Sequence, residues 1–136
     1  MKYFILFVLP LIISCSLFDN EQALEINPNH LIGEWRTKSF YDDLELIEPA
    51  EFDTSQAGSV FGIEFINNNT CRITPIKPPH LRIGACEWVI YGYDPEVYLR
   101  IQYTQMIDQW PIDYSFLYRV KEISNQNITL DLLAKS

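Results

Sequence analysis

The stretch "SVFGIEFINNNTCRITPI" (residues 59–76) shows the pattern that decides the fold. Apolar and polar residues alternate along it, so that Phe61, Ile63 and Phe65 share one face of an extended segment. Three consecutive asparagines follow, and Asn tolerates the left-handed backbone that tight turns need. The alternation then resumes with Cys71 and Ile73 on the inward face. The stretch therefore predicts an antiparallel hairpin with one apolar face and one polar face.

The same alternation extends over the chain from residue 33 onward, and no segment shows a convincing long helix. The predicted strands are 33–41, 43–47, 59–66, 70–76, 85–91, 97–104, 112–121 and 128–133. Strands in this order, each with one apolar face, predict a single all-β domain. We expect an eight-stranded antiparallel up-and-down barrel, because closure removes exposed sheet edges. A two-sheet β-sandwich would show the same alternation and is the alternative.

The N-terminus has a different pattern, in which an apolar run ends abruptly at a cysteine in "LPLIISCS" (residues 9–16). Lys2 precedes an apolar run at 3–13, far shorter than the roughly 20 residues of a membrane-spanning helix. A basic start, a short apolar stretch and the small Ser14 are typical of a secretory signal peptide. The order Ile-Ile-Ser-Cys resembles a bacterial lipobox, in which cleavage precedes a cysteine that carries lipid. The predicted division is a lipoprotein signal peptide at 1–14, a lipidated tether at 15–29 and the barrel domain at 30–136.

Lipidation of Cys15 would decide where the protein resides. Each buried CH₂ group stabilises membrane binding by about 0.8 kcal/mol, so one acyl chain such as palmitate binds weakly and several bind firmly. The resemblance to a lipobox implies two or three chains, and Ser16 after the cysteine favours sorting to the outer membrane. We predict a protein anchored through Cys15 in the outer membrane of a bacterial cell envelope, facing the periplasm or the outside.

The net charge of −8 argues against two classes of partner. Nucleic-acid binding needs basic groups that neutralise phosphates, and a surface that lies flat on anionic lipid needs them as well. The sequence contains no nucleophile elbow, no zinc-protease motif and no glycine-rich phosphate loop. His30 and His80 lie singly in turn-like segments beside prolines. We therefore predict no nucleic-acid partner, no cofactor and no metal site.

Two cysteines remain once the lipobox cysteine is lipidated, and the compartment beyond the inner membrane is oxidising. A hairpin centred on residues 78–79 places Cys71 directly opposite Cys86. Such a pair holds its Cα atoms about 4.5 Å apart when it is not hydrogen-bonded, which a disulfide accepts. We predict this disulfide, with two buried free thiols as the alternative. The same register turns Arg82 inward, and a bulge at Gly84 would correct this and shift the pairing by one residue.

The segment "LIGEWRTKSF" (31–40) resembles the Gly-x-Trp opening of the lipocalin-like bacterial lipoproteins of the Bacteroidota. "FGIEFINNNTCRI", the strand around Trp88 and "YRVKEISNQNITLDL" resemble later segments of that family. The resemblance covers residues 30–134 and implies an eight-stranded barrel in which Trp35 closes one end. A lipocalin also has an arginine near the last strand, stacked over that tryptophan, whereas this sequence has Lys135. The family is mostly without known activity.

The predicted inward faces are almost entirely large and apolar. A catalytic pocket needs convergent polar groups, so these faces favour a binding module over an enzyme. One hypothesis is a carrier that holds an apolar or amphipathic small ligand in the lumen of the barrel. Its candidate ligand-binding residues are Trp35, Tyr41, Trp88, Tyr103 and Tyr114.

The alternative hypothesis is a filled barrel that binds a protein, either as a subunit of an envelope complex or as an inhibitor. Its candidate interface residues are Tyr91, Tyr93, Trp110 and Pro111. Trp110 is expected in a loop, where it either anchors such an interface or caps the mouth of the barrel. A lumen of several hundred Å³ would favour the carrier, and a packed lumen would favour the protein-binding module.

Overall fold

The computed structural model describes residues 28–55, 57–67, 69–93 and 95–136, with only the backbone of Tyr93. The predicted signal peptide, Cys15 and nearly all of the predicted tether lie outside these residues. Within the described ranges, no helix is long and apolar enough to cross a membrane. In the same part of the chain, helical structure consists of two 3₁₀ turns, Pro28–His30 and Pro49–Glu51.

Eight β-strands form the barrel. They are β1 (Gly33–Thr37), β2 (Leu44–Ile47), β3 (Val60–Ile66), β4 (Thr70–Lys77), β5 (Arg82–Tyr93), β6 (Glu96–Ile107), β7 (Trp110–Ile123) and β8 (Asn127–Lys135). Neighbouring strands are antiparallel, and the sheet closes on itself in the order β1-β2-β8-β7-β6-β5-β4-β3. The predicted closed eight-stranded up-and-down barrel is therefore confirmed. The alternative sandwich is wrong, because every strand has neighbours on both sides in one continuous sheet.

One connection departs from simple succession around the barrel. β1 lies between β2 and β3, so the segment 48–59 passes β1 to reach the start of β3. β2 and β8 then close the barrel. β1 and β2 share the single residue pair Arg36–Ile47, so the connection between them, residues 38–43, is a wide loop instead of a tight hairpin turn.

Strands β5 and β6 extend beyond the predicted strands 85–91 and 97–104, and their ladder reaches the pair Tyr93–Glu96. β5 continues to Tyr93, and β6 begins at Glu96. Gly92 has a φ of +100°, and a Cβ atom there would lie 2.2 Å from the carbonyl oxygen of Glu96. Glycine is required at this position because it tolerates both the positive φ and the close approach of the backbone.

The predicted bulge and the predicted cysteine pair both occur. The register of β5 against β6 shifts between Ile83 and Cys86, which leaves Ile83 against the core and Arg82 exposed. The bulge does not shift the cysteine pairing, since Cys71 remains directly opposite Cys86. Their Sγ atoms are 1.94 Å apart and their Cα atoms 4.9 Å apart, so the pair is at disulfide distance.

The interior is filled by inward side chains from all eight strands. Those less than 2% exposed include Leu44, Leu46, Ile63, Phe65, Leu99, Ile101, Phe116, Tyr118, Ile128 and Leu130. Thr37 is a buried polar residue of this core, and its hydroxyl donates to the carbonyl oxygen of Ser39 at 3.2 Å. Among the described residues, no buried side-chain nitrogen or oxygen lacks a hydrogen-bond partner. The core is thus apolar, with its few polar groups satisfied.

Candidate functional site

Trp35 and Leu31 close the end of the barrel at which the described chain begins. Trp35 is 7% exposed, and its indole N–H donates a 2.8 Å hydrogen bond to the carbonyl oxygen of Leu31. Leu31 follows the 3₁₀ turn Pro28–His30 and is itself buried. The indole therefore lies at this end of the barrel with its N–H hydrogen-bonded. The family resemblance implies the same position for Trp35. Lys135 ends β8 at the opposite end of the barrel and is exposed there.

Trp88 lies at the same end and joins β5 to the turn between β3 and β4. Its indole N–H donates to the carbonyl oxygens of Ile66 (3.1 Å) and Thr70 (2.8 Å), which flank that turn. Its ring makes an edge-on contact with Phe65 at a centroid distance of 5.1 Å. Both tryptophans predicted for the lumen are therefore packed parts of the closed end.

Phe40 occupies the centre of the barrel, although it comes from the loop 38–43 and not from a strand. It is 1% exposed. Its ring centroid lies 5.6 Å from that of Phe61, 5.7 Å from that of Tyr103 and 6.4 Å from that of Phe116. Tilted rings at such distances are favourable aromatic pairs. Phe40 therefore plugs the barrel from its mouth.

Hydrogen bonds to the surrounding strands hold this loop. The hydroxyl of Tyr118 on β7 donates to the carbonyl oxygen of Phe40 at 2.5 Å. The backbone N–H of Leu132 on β8 donates to the carboxylate of Asp43 at 2.8 Å. Burial raises the pKa of Tyr118 well above its ordinary value, so its hydroxyl keeps the proton that it donates. The plug is thus fixed through both its ring and its backbone.

The predicted inward position of Tyr41 is wrong, because β1 ends at Thr37 instead of continuing to residue 41. Tyr41 is 42% exposed at the mouth, where its ring meets that of Tyr114 edge-on at 6.0 Å. Tyr103 lies beneath them, 5% exposed and 5.4 Å from Tyr114 between ring centroids. Burial is the main cause that raises the pKa of Tyr103 far above its ordinary value, and the neighbouring Tyr41 raises it further. These three residues form the tyrosine rim, and the raised pKa of its buried member, Tyr103, keeps that hydroxyl neutral at physiological pH.

The expected loop around Trp110 is a tight turn, in which Ile107 pairs with Trp110 and Asp108 has a φ of 56°. Trp110 is the first residue of β7 and is 75% exposed, so it does not cap the mouth. Its neighbours are exposed as well, with Ile107 at 40% and Ile112 at 39%. We call residues 106–112 the hairpin tip.

The hairpin tip carries the inner face of the barrel beyond the mouth. Cross-strand partners share a face, and the register pairs Tyr103 with Tyr114 and Ile107 with Trp110 without a break between them. Side chains alternate between faces along a strand, so Ile112 belongs to this face too. The inner face of the barrel therefore continues to the tip and is mostly apolar, with the polar Gln105 opposite Ile112. It is buried at one end and exposed at the other.

The remaining interface candidates have different surroundings. Tyr91 is 41% exposed on the outer wall, with its ring 5.6 Å from that of Tyr98 and the Arg100 guanidinium 5.9 Å from its centroid. Pro111 is exposed at the hairpin tip, opposite Met106. The side chain of Tyr93 lies outside the described residues. Tyr91 thus belongs to a second surface, separate from the tip.

Sequence reasoning missed Phe40 and the exposed isoleucines of the tip, although weak signals for both are present. Continued alternation after Trp35 would turn Phe40 toward solvent beside Lys38, which is an unfavourable place for a large aromatic ring. This conflict signals that the strand ends earlier. Comparison of the chain with protein-family models, curated protein sequences and solved structures finds no significant match.

Proposed function

We propose that this protein is a lipid-anchored, non-enzymatic binding module of the bacterial cell envelope, which binds a protein partner through its surface. The observation that carries the proposal is the ring of Phe40, packed in the barrel centre against Phe61, Tyr103 and Phe116. A carrier needs a cavity for its ligand, whereas a barrel filled by side chains recognises partners from outside. A subunit of an envelope complex and a protein inhibitor both fit this description.

The membrane attachment in this proposal rests on Cys15, which lies outside the described residues. The lipobox-like order before it and the resemblance to lipocalin-like lipoproteins support lipidation at this position. We expect Cys15→Ser to leave the precursor uncleaved and to release it from the membrane fraction. An unchanged membrane fraction for this variant would contradict the anchor without affecting the protein-binding role.

The competing hypothesis is an apolar or amphipathic ligand in the lumen. Such a ligand would have to displace a ring that is 1% exposed and break the hydrogen bond from Tyr118 to the carbonyl of Phe40. The broken bond would leave a buried carbonyl without a partner, which costs about 1–3 kcal/mol. The packing therefore favours the protein-binding role.

Two measurements on the full-length protein, purified from its host in mild detergent, distinguish these functions. Native mass spectrometry should show a protein partner and no retained small molecule. The apolar fluorescent probe N-phenyl-1-naphthylamine should not bind the wild-type protein at micromolar concentrations, but should bind Phe40→Ala, which opens the barrel centre. Phe40→Leu is the matched control, because it keeps most of the bulk. Saturable binding of the probe to the wild type, together with a retained small molecule, would support the carrier instead.

A further inference from the structure

Resting on the proposed protein-binding function, we infer that the hairpin tip (residues 106–112) is the docking element, and that its partner is a protein with an apolar cleft bordered by basic groups. Trp110 is 75% exposed, although tryptophan is usually largely buried. Tryptophan is also the residue type that most often contributes a large share of the binding energy at an interface. Trp110 is therefore the expected anchor.

The tip is apolar on both of its faces, which sets it apart from an ordinary strand end. Ile107, Trp110 and Ile112 lie on the face that continues the barrel interior. Met106 and Pro111 form a pair on the opposite face, and Met106 is 38% exposed. An element that is apolar on both faces buries most surface when it is inserted into a cleft. A flat partner surface would cover only one face.

Exposed acidic groups lie in the turn of the tip, next to it on β7 and at the mouth of the barrel. Asp108 stands exposed in the turn, Asp42 is exposed beside the tyrosine rim, and Asp113 is exposed on β7, where it accepts a 2.6 Å hydrogen bond from the Thr104 hydroxyl. Arg82, opposite Met106, lies on the same outer face as Asp113, so these three carboxylates outnumber the one basic group beside the tip. With a net charge of −8 over the chain, these carboxylates favour a partner with basic groups at the edge of its cleft.

Two other occupants fit this surface less well. Insertion of the tip into a membrane would bring the Asp108 carboxylate in first, and a charged group is costly in hydrocarbon. Pro28, where the described chain begins, also lies at the Trp35 end, so an anchor at Cys15 joins the barrel opposite the tip. A symmetric dimer of two tips would place the two Asp108 side chains near each other, which opposes self-association.

Site-specific photo-crosslinking in the host tests the inference. A benzophenone amino acid replaces Gln109 in the full-length protein, and a second variant carries it at Tyr91 on the outer wall as the control position. We expect adducts from position 109 to one protein, attached near basic and apolar residues of that protein. The yield should fall about tenfold or more with Trp110→Ala and with Asp108→Lys, and should be unchanged with Leu133→Ala, which removes an exposed leucine of β8.

The cross-linked protein is then purified and titrated against the wild type and the variants. Trp110→Ala should raise the Kd by about thirtyfold, as expected for a central anchor. Asp108→Lys should slow association and weaken its dependence on salt. Equal binding by all variants would overturn the inference even if an adduct forms.

The remaining outcomes separate this inference from the proposed function. Adducts from position 109 to lipid, to a second copy of the chain or to residues 1–27 of the same chain would each overturn the docking role of the tip. A blue shift of tryptophan emission with phosphatidylethanolamine–phosphatidylglycerol vesicles, lost in Trp110→Ala, would do the same in favour of a membrane. Protein adducts from position 91 alone would overturn the tip and keep the protein-binding function. A retained small molecule with no protein adduct at either position would overturn both.

Discussion

The two ends of the barrel each contain a tryptophan, and the two side chains have opposite surroundings. Trp35 is 7% exposed, and its indole N–H is bound to the carbonyl oxygen of Leu31. Trp110 is 75% exposed at the hairpin tip. At the closed end the apolar face meets other apolar groups of the same chain, whereas at the other end β6 and β7 carry that face past the mouth. The comparison teaches that one mostly apolar face stabilises the fold where neighbouring strands cover it and stands exposed where they do not.

Trp35→Ala should break the closed end and have the largest effect on stability. Removing a buried tryptophan leaves a cavity, so the free energy of unfolding should fall by about 3–5 kcal/mol. Urea unfolding followed by circular dichroism measures the change. Trp35→Phe, which keeps most of the ring volume, should lose less. A loss below about 1 kcal/mol for Trp35→Ala would show that this end does not depend on the indole.

Replacing both Cys71 and Cys86 by alanine tests whether the ladder between β4 and β5 needs a covalent link. The described pairs between these strands are Thr70–Glu87 and Cys71–Cys86. The two cysteines are separated by 15 residues, and closing a loop of that size stabilises by about 3 kcal/mol. Intact-mass analysis should first show two hydrogens fewer in the non-reduced protein. Equal unfolding midpoints for the wild type with and without reductant would contradict the stabilising role.

Raising the pH should lower the free energy of unfolding, because the buried tyrosines of the barrel are stable only in the protonated form. Burial raises the pKa of both Tyr103 and Tyr118, so these hydroxyls stay protonated in the folded state at a pH where the unfolded chain ionises. Their stabilising contribution is complete below the ordinary tyrosine pKa of about 10 and is lost as the pH rises above it. Urea unfolding at pH 9 and pH 11 should differ by on the order of 2 kcal/mol. The double variant Tyr103→Phe/Tyr118→Phe should show a smaller difference, and an equal one would assign the loss to other groups.

Trp110→Ala should have the smallest effect on stability and thereby sharpen the contrast with Trp35→Ala. Its side chain is 75% exposed, so the free energy of unfolding should change by no more than about 0.5 kcal/mol. Urea unfolding under the same conditions as for Trp35→Ala gives the direct comparison. A loss of several kcal/mol would mean that the tip packs against the domain in solution, which would remove it as a free docking surface.

Much of the barrel follows from the sequence because alternation is a local property of an extended chain. Spacing alone predicts the inward face of Ile63 and Phe65, and both residues are buried. The pairing of Cys71 with Cys86 follows from the centre of a hairpin, and it persists although a bulge shifts the neighbouring register at Ile83. The candidate site is less predictable, since Tyr41 is exposed and the alternation gives no inward position to Phe40, which fills the centre.

The sequence by itself determined the number of strands, their inward faces and the cysteine register, because each depends on spacing within one strand or one hairpin. The tertiary structure decided that Phe40 plugs the barrel and that Trp110 stands in solvent. Whether a residue is buried depends on which side chains of neighbouring strands cover it. Strands β6 and β7 are longer than most of the other strands, so their shared end extends past the mouth of the barrel. Alternation predicts the face on which Trp110 lies. It does not predict whether another strand covers that face, because a covering strand would come from a distant part of the chain.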